Sequence, residues 1–311
     1  MSNKISRSLV KLILPFVYKI LIKFKLNRRV INFLSDKSYR SNDQHNFTSL
    51  ISGLLKNEKI ISLDVGAQGG FNSDKFFPKK YNKYFKKILV DPLEDKTKIK
   101  EDDITITKGL WSSPCEKILY ILDKRPESSS LYKPDINSLK IYNYKDKEIN
   151  LFDISKEEKI ECDTLNASLE KLNIDNLHYL KIDTQGAELE ILKGLESFRP
   201  LIIKCEVQIF PMYKKEPCWT EVTNLLYKLG YIVSDWKKIG SHSTRAPVEM
   251  DMIFIPNFLI ESGKKLIVKN KKKFICLMLI TGQIKLLKKI SKILDFGHSE
   301  FYMKTEDKYF N

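Results

Sequence analysis

The sequence predicts an α/β protein whose doubly wound, mostly parallel sheet is covered by helices on both faces. Three observations support this fold class. Short apolar strand segments alternate with helical segments from residue 44 onward, and the first strand runs into the glycine-rich turn DVGAQGG. The last two strand segments, YIVSDW and EMDMIFIP, have no helix signal between them, which predicts an antiparallel hairpin at one edge.

The remaining elements follow in order along the central body. The helix NFTSLISGLLK precedes the strands IISLDVG and KKILVDP, and the strand segments DITITKGLW, EKILYILD and KIECDTL come next. After the helix NASLEKLNI come the strand HYLKID, the helix AELEILKGLESF, the strand PLIIKCEV and the helix CWTEVTNLLYKLG. With 311 residues, the chain is long enough to bury a full core.

The net charge of +15 is concentrated at the two ends of the chain. Residues 1–40 carry ten Lys or Arg and one acid, and residues 263–294 carry ten Lys and no acid, whereas residues 41–262 carry 32 basic and 34 acidic groups. A polyanion-binding groove would place the charge around itself, so no nucleic-acid partner is predicted.

We predict three parts: a basic amphipathic N-terminal extension (1–43), a main domain (44–258) and a basic helical C-terminal extension (259–311). Lysines and a proline interrupt the N-terminal apolar segment, so no run of about 18–20 apolar residues predicts a spanning helix. Each extension either packs on the domain or lies on a membrane surface. The predicted location is the cytoplasm, with the inner membrane face as a peripheral site.

The five cysteines are scattered and form no C-x-x-C pair. This spacing predicts reduced thiols in a cytosolic protein and no metal site. They are Cys115, Cys162, Cys205, Cys218 and Cys276.

A nucleoside site is predicted where the first two strands end. Asp64 closes the first strand before Gly66 and Gly70, and Asp91, which closes the second, is placed to accept both hydroxyls of a ribose. The turn lacks the spacing G-x-G-x-x-G, and the Asp64 carboxylate would repel a diphosphate but suit the sulfonium and amino groups of S-adenosylmethionine. Alternatively, the glycines only let helix and strand pack closely. Trp111, after the third strand, either stacks on the adenine or belongs to the core.

The stretch LKIDTQGAELEILKG, residues 180–194, supplies the catalytic candidates. Asp183 ends an apolar strand, where an unpaired acid is costly without a role, and we predict that it contacts the cofactor and acts as base or substrate anchor. Glu206, at the end of IIKCEV, is the second candidate; alternatively, it only pairs with a lysine. Glu188 either takes part in the site or caps its helix.

The motifs DVGAQGG, VDP, SSSLYKP, CDTL, LKIDTQGAELEILKG and EVQIFPMY occur in this order between residues 58 and 255. This set resembles the FkbM-type methyltransferase family. The resemblance implies a class I methyltransferase fold of about seven strands in residues 44–258, with S-adenosyl-L-methionine as cofactor and sugar or natural-product hydroxyls as acceptors. Gln68 stands where the family commonly has Asn, and Asp91 where it often has Glu; both keep the polar chemistry.

The resemblance also places SSSLYKP beside the active site. Ser130 and Tyr132 of this segment are accordingly predicted to bind the substrate, although the segment PESSSLYKPD by itself reads as a polar loop. Gln185, in LKIDTQGAELEILKG, is also predicted to bind the substrate.

These features predict an S-adenosylmethionine-dependent O-methyltransferase that acts on a saccharide, glycolipid or related small molecule. The alternatives are a Rossmann-type nucleotide-sugar oxidoreductase and a non-catalytic module that binds a membrane surface or RNA. The missing G-x-G-x-x-G spacing counts against the oxidoreductase. The basic ends suit work beside an anionic membrane.

Overall fold

The computed structural model describes residues 46–93, 103–141, 146–239 and 247–296. The strands are β1 (Ile60–Val65), β2 (Phe85–Val90), β3 (Ile104–Ile106), β4 (Gly109–Leu110), β5 (Cys115–Ile121), β6 (Lys156–Asp163), β7 (Tyr179–Ile182), β8 (Ile202–Gln208), β9 (Tyr231–Ile239) and β10 (Glu249–Pro256). The helices are α1 (Thr48–Leu55), α2 (Ile136–Ile141), α3 (Asp146–Ile149), α4 (Leu165–Lys171), α5 (Glu188–Lys193), α6 (Trp219–Lys228), α7 (Glu261–Lys269), α8 (Lys271–Ile280) and α9 (Ile284–Ile293).

The main sheet has seven strands in the order β3-β2-β1-β7-β8-β10-β9. The first five strands in this order, β3, β2, β1, β7 and β8, are parallel to one another. β10 pairs in antiparallel fashion with both β8 and β9. The strand order changes direction between β1 and β7, which is the switch point where open α/β sheets bind ligands. The predicted fold class, with seven strands and an antiparallel hairpin at one edge, is confirmed.

A second, three-stranded sheet with the order β4-β6-β5 was not predicted. The segment DITITKGLW, predicted as one strand, divides into β3 in the main sheet and β4 in the small one. The segments EKILYILD and KIECDTL form β5 and β6, which pair antiparallel with each other instead of joining the main sheet. Both strands alternate exposed and partly buried residues, as strands do when one face of their sheet meets solvent.

The two faces of the main sheet differ in chemistry. One face packs against α4, α5 and α6 through a continuous apolar core. On the other face, the amino ends of the strands near Tyr179 pack against a cluster of aromatic side chains. In this cluster, Phe77 and Phe85 stack with ring centroids 5.2 Å apart. Nearer the carboxyl ends of the strands, this second face carries charged side chains. Asp183, which follows β7 and lines the candidate site, lies beside these charged positions.

The C-terminal helices pack on the domain. Every residue of α8 from Phe274 to Ile280 is buried, and this helix contacts α1. In α9, Leu287 and Ile290 are buried while Lys285 is exposed. No helix in the described ranges combines the length and hydropathy needed to cross a bilayer. The predicted N-terminal extension, residues 1–43, lies outside the described residues.

Because α8 is buried, truncation of a core side chain such as Phe274 should strongly lower the stability of the protein. Phe274→Ala should lower the free energy of unfolding by about 3–5 kcal/mol, because the fully buried ring leaves a cavity. Val268→Ala, at a position that is 53% exposed on α7, should change it by less than about 0.5 kcal/mol. Denaturant titration of both variants measures these values. A near-neutral Phe274→Ala would show that α8 does not belong to the core.

Candidate active site

A cleft lies at the carboxyl ends of β1, β2 and β7, with about 670 Å³ of open space that is partly continuous with solvent. Its polar lining includes Gln68, Asp91, Ser129, Ser130, Asp183, Thr184 and Gln185. Its apolar lining includes Val65, Val90, Leu110, Leu119, Leu131, Ile160, Ala187 and Ile191.

The turn after β1 forms part of the cleft wall because Gly66 has no side chain. Its backbone has φ +76°, and a Cβ at this position would stand 1.8 Å from the carbonyl oxygen of Asp183. Gly66 N–H donates to the Val90 carbonyl, and Asp183 N–H donates to the Val65 carbonyl. Glycine therefore lets the ends of β1 and β7 meet. Gly70 also has a positive φ of +88° but does not line the cleft.

Asp91 directly follows β2 and lines the cleft, where its side chain is largely buried. Its Oδ1 accepts a hydrogen bond of 2.8 Å from Leu93 N–H, and burial raises the pKa of its carboxyl. Leu110 and Ile160 of the small sheet also line the cleft and supply apolar surface. This arrangement offers a carboxylate for a ribose and an apolar wall for a base.

Trp111 does not line this cleft. Its ring packs 5.9 Å from that of Tyr132, and Lys117 Nζ lies 4.0 Å from its ring centroid. The structure therefore favours the second of the two predicted roles, a packing position behind the site.

Asp64 is buried and does not line the cleft. Lys181 Nζ lies 3.1 Å from Asp64 Oδ1 and 3.6 Å from Asp183 Oδ2. Burial lowers the pKa of Lys181, but the carboxylates of Asp64 and Asp183 more than offset this and raise it above its ordinary value. The predicted role of Asp64 as the partner of a cationic ligand needs correction, because Lys181 already compensates its charge.

Lys204, on β8, forms a second buried ion-pair centre that was not predicted. Its Nζ lies 2.7 Å from Asp74 Oδ2 and 2.6 Å from Asp251 Oδ1. Lys204 is directly opposite Lys181 in the β7–β8 ladder, and Lys181 is opposite Asp64 in the β1–β7 ladder. The three side chains therefore share one face of the sheet. A lysine within each apolar strand, in LKID and IIKCEV, is the sequence signal that could have revealed them.

Gln185 connects the candidate catalytic acids. Its Nε2 donates to Asp183 Oδ1 at 3.2 Å and to Glu206 Oε1 at 2.9 Å, while its Oε1 accepts from Tyr213 O–H at 3.0 Å. Its backbone has φ +57°, and its carbonyl accepts from Ser130 Oγ at 2.6 Å. Asp183 is thus held by Lys181 at one oxygen and by Gln185 at the other.

Ser130 and Tyr132 occupy different parts of the region. Ser130 lines the cleft and is buried, and its Oγ also accepts from Tyr132 N–H. Tyr132 is half-buried behind the residues that line the cleft. Its burial and, to a smaller extent, the negative charges of nearby acids including Glu190 raise its pKa to about 12. A substrate role for either residue stays a prediction.

Glu188, the first residue of α5, is buried against the turn that precedes this helix and does not line the cleft. Its Oε1 accepts from the N–H and the hydroxyl of Thr184, and its Oε2 accepts from Gly186 N–H, all at 2.9 Å. Burial raises its pKa to about 7. Because both carboxylate oxygens hold the turn before α5, the structure favours the structural alternative for Glu188.

Glu206 and Asp183 differ in their electrostatic surroundings. Burial, and then the negative charges of Asp183, Glu249 and Asp251, raise the pKa of Glu206 well above its ordinary value. Asp183 has Lys181 beside it, and its side chain is 24% exposed at the cleft. Asp183 lines the cleft beside a lysine, whereas Glu206 does not line it and lies among other acids.

The model of the FkbM methyltransferase domain matches residues 64–233, more than half of the chain. The chain therefore belongs to the FkbM family of S-adenosylmethionine-dependent methyltransferases, and S-adenosylmethionine is its cofactor. No curated protein sequence matches the chain.

Three solved structures are similar to the chain at low identity. A structure described as a pericyclic reaction enzyme is 12% identical with a TM-score of 0.33, over 76% of this chain and 57% of that one. LepI in complex with S-adenosylmethionine is 13% identical with a TM-score of 0.32, over 68% and 48%. A LepI variant with S-adenosylhomocysteine and a substrate analogue is 12% identical with a TM-score of 0.32, over the same shares. The chain spans about half the length of these proteins.

The residues of the cleft fit this cofactor. The buried Asp91 carboxylate can accept from ribose hydroxyls, and the apolar wall that includes Leu110 and Ile160 suits a purine. The Gly66 turn keeps side chains away from the junction of β1 and β7. Asp183 supplies negative charge near the same junction, where an amino group or a sulfonium would be favoured.

Replacement of Asp91 tests its role at the ribose. Asp91→Asn should weaken S-adenosylmethionine binding by about tenfold or more, because a charged acceptor of hydroxyl hydrogen bonds is lost. Calorimetry measures the affinity, and Asp123→Asn, at an exposed position that does not line the cleft, is the control. Equal affinities of Asp91→Asn and the unmodified chain would contradict the assignment.

The raised pKa of Glu206 predicts a pH-dependent contribution to stability. Because the folded state binds this proton more tightly than the unfolded state, stability is lost as the pH rises through the folded pKa. Glu206→Gln should therefore reduce the fall in unfolding free energy between about pH 5 and pH 8. Denaturant titration measures the fall, with the exposed Glu116→Gln as control. An unchanged fall in Glu206→Gln would show that this carboxyl is not perturbed.

Proposed function

We propose that this chain transfers a methyl group from S-adenosylmethionine to a hydroxyl of a saccharide, glycolipid or related small molecule. The observation that carries the proposal is the placement of Asp183, an anchored and partly exposed carboxylate that lines the cleft. The bound cofactor supplies an electrophilic methyl group on a positively charged sulfur. The chain has to position the acceptor oxygen and take its proton.

Asp183 is the proposed proton acceptor. Lys181 and Gln185 fix the orientation of its carboxylate, so little reorganisation is needed when a hydroxyl approaches. Glu206 is less suited to this step because it does not line the cleft and because burial among other acids raises its pKa.

The surroundings of Asp183 support a polyhydroxylated acceptor over an apolar one. Glu206 on β8 and Glu249 on the neighbouring strand β10 lie on the same face of the main sheet. Gln185 links Asp183 to Glu206. Carboxyl groups of either protonation state bind hydroxyls well. A desolvated apolar acceptor would remove water from the partly exposed Asp183 carboxylate without offering it a hydroxyl.

The basic surface supports a peripheral location on an anionic membrane. Lys285, Lys289 and Lys292 form an exposed stripe along α9 with the spacing i, i+4 and i+7, and they make no ion pair with any acid of the described ranges. Because the apolar residues of α8 are buried in the core, such contact would rest on charge and would weaken as salt is added. Co-sedimentation with vesicles containing anionic lipid, with and without added salt, tests this part.

Calorimetry with S-adenosylmethionine, NAD and RNA separates the proposed activity from its alternatives. Saturable binding of S-adenosylmethionine alone supports a methyltransferase, whereas binding of NAD supports an oxidoreductase. Binding of RNA with steep salt dependence supports a non-catalytic module. Incubation with isotope-labelled cofactor and glycan or glycolipid extracts then identifies the acceptor by the label it gains. A label that alkaline hydrolysis releases as methanol would indicate an ester and overturn methylation of a hydroxyl.

With an acceptor in hand, Asp183→Asn tests the proton acceptor. Asn keeps the shape and one acceptor oxygen but has a negligible affinity for the proton, so turnover should fall by about a hundredfold or more. Affinity for S-adenosylmethionine should change less, and Asp123→Asn should change neither. Single-turnover kinetics and calorimetry provide the two readouts. Full turnover in Asp183→Asn would remove this residue from the mechanism.

A further inference from the structure

Two cysteines that are far apart in the sequence face each other in the small sheet. Cys115 on β5 and Cys162 on β6 are directly opposite residues of the antiparallel ladder. Directly opposite residues in such a ladder have Cα atoms about 4.5–5.5 Å apart, which lies within the range that a disulfide bond spans. Both are free thiols in this structure.

The environment of the two thiols is unequal. Cys115 is half-buried, whereas Cys162 is only 5% exposed. Burial raises the pKa of the Cys162 thiol to about 11, and the Cys115 thiol adds to this through its charge and a hydrogen bond. The more accessible Cys115 is therefore the thiol that meets a soluble oxidant first.

Cys162 also supports the wall of the cofactor cleft. It pairs with Gly109 of β4 on its other side, and a Cβ at Gly109 would stand 2.7 Å from the Cys162 sulfur. The same Cβ would stand 2.9 Å from Cδ1 of Ile160. Gly109 and Ile160 both line the cleft, so the Cys162 sulfur fills the space immediately behind this wall.

We propose that Cys115 and Cys162 form a reversible disulfide bond in response to a hydroperoxide and that this bond weakens the binding of S-adenosylmethionine. The second part rests on the assignment of the cleft to this cofactor. Formation of the bond draws the Cys162 sulfur toward Cys115 and away from Gly109. The wall formed by Gly109 and Ile160 then loses the packing behind it, and the apolar surface offered to the purine shifts.

The chemistry balances with hydrogen peroxide as the oxidant. Cys115 loses its thiol proton, its thiolate attacks one peroxide oxygen, and the O–O bond breaks to give a sulfenic acid and hydroxide, which takes up the released proton and becomes one water. The Cys162 sulfur then attacks the Cys115 sulfur, the S–O bond breaks, and the second water leaves with the thiol proton. The two thiols lose two electrons in total and the peroxide gains them. A dithiol reductant reverses the step by exchange.

The test uses the full chain with Cys218→Ser, which removes an exposed thiol that would form intermolecular links. The chain is treated with hydrogen peroxide, digested without reduction and mapped by mass spectrometry. We expect one linked peptide pair that contains Cys115 and Cys162 and disappears after dithiothreitol. Calorimetry should show binding of S-adenosylmethionine weakened by about fivefold or more in the oxidised chain and restored by reduction. Cys115→Ser, added to the same chain, should respond in neither measurement.

Two results would overturn the proposal. The first is oxidation of Cys115 to sulfinic acid without a linked peptide, which would show that the two sulfurs do not meet. The second is a quantitative disulfide with unchanged affinity, which would remove the coupling to the cleft. If instead the reduced chain fails to bind S-adenosylmethionine, the cofactor assignment fails, and the peptide map still decides whether the disulfide forms.

Discussion

The buried ion pairs on one face of the main sheet are the constraint on which the site depends. Lys181 and Lys204 lie almost completely inside the protein, and each contacts two carboxylates. Removing an ion from water costs several kcal/mol, and leaving one partner of a buried pair alone costs about 3–5 kcal/mol. Each lysine is therefore tolerated only while its acids stay in place. Since a slip of one residue turns every side chain to the opposite face, the pairs also select the register of β1, β7 and β8.

The same pairs connect the sheet to the loop that follows β1. Asp64 accepts a hydrogen bond from Asn72 N–H, and Asp74 reaches over the sheet to Lys204. The loop is thus attached at two points, to β1 itself and to β8, which lies two places beyond β1 in the sheet. Gly66 then brings the end of β1 against Asp183. The floor of the cleft is held by contacts made before any ligand binds, which keeps the reorganisation needed for catalysis small.

Sequence periodicity was sufficient for the main sheet and insufficient for the small one. The strands β1, β2, β7 and β8 are short apolar runs between helices, and this pattern determines both their type and their parallel pairing. β5 and β6 show equally clear strand patterns, but alternation describes the faces of a strand and not its partner. The pairing of Cys115 with Cys162 depends on that unpredicted partner, which is why scattered cysteines in the sequence become neighbours in the fold.

The cleft residues Gly66, Asp91 and Asp183 could be placed from the sequence because each ends or follows a strand at the edge where parallel strands meet. The role of Asp64 was misjudged because its partner, Lys181, comes from a distant strand and becomes its neighbour only through the strand order. This pairing changes the source of negative charge at the cleft. Lys181 lies beside Asp64, and burial beside other acids raises the pKa of Glu206, which does not line the cleft. At the junction of β1 and β7, Asp183 is therefore the carboxylate that the cleft itself offers to a cationic group. In the proposed transfer to a hydroxyl, the same carboxylate would be placed to take the proton of the acceptor.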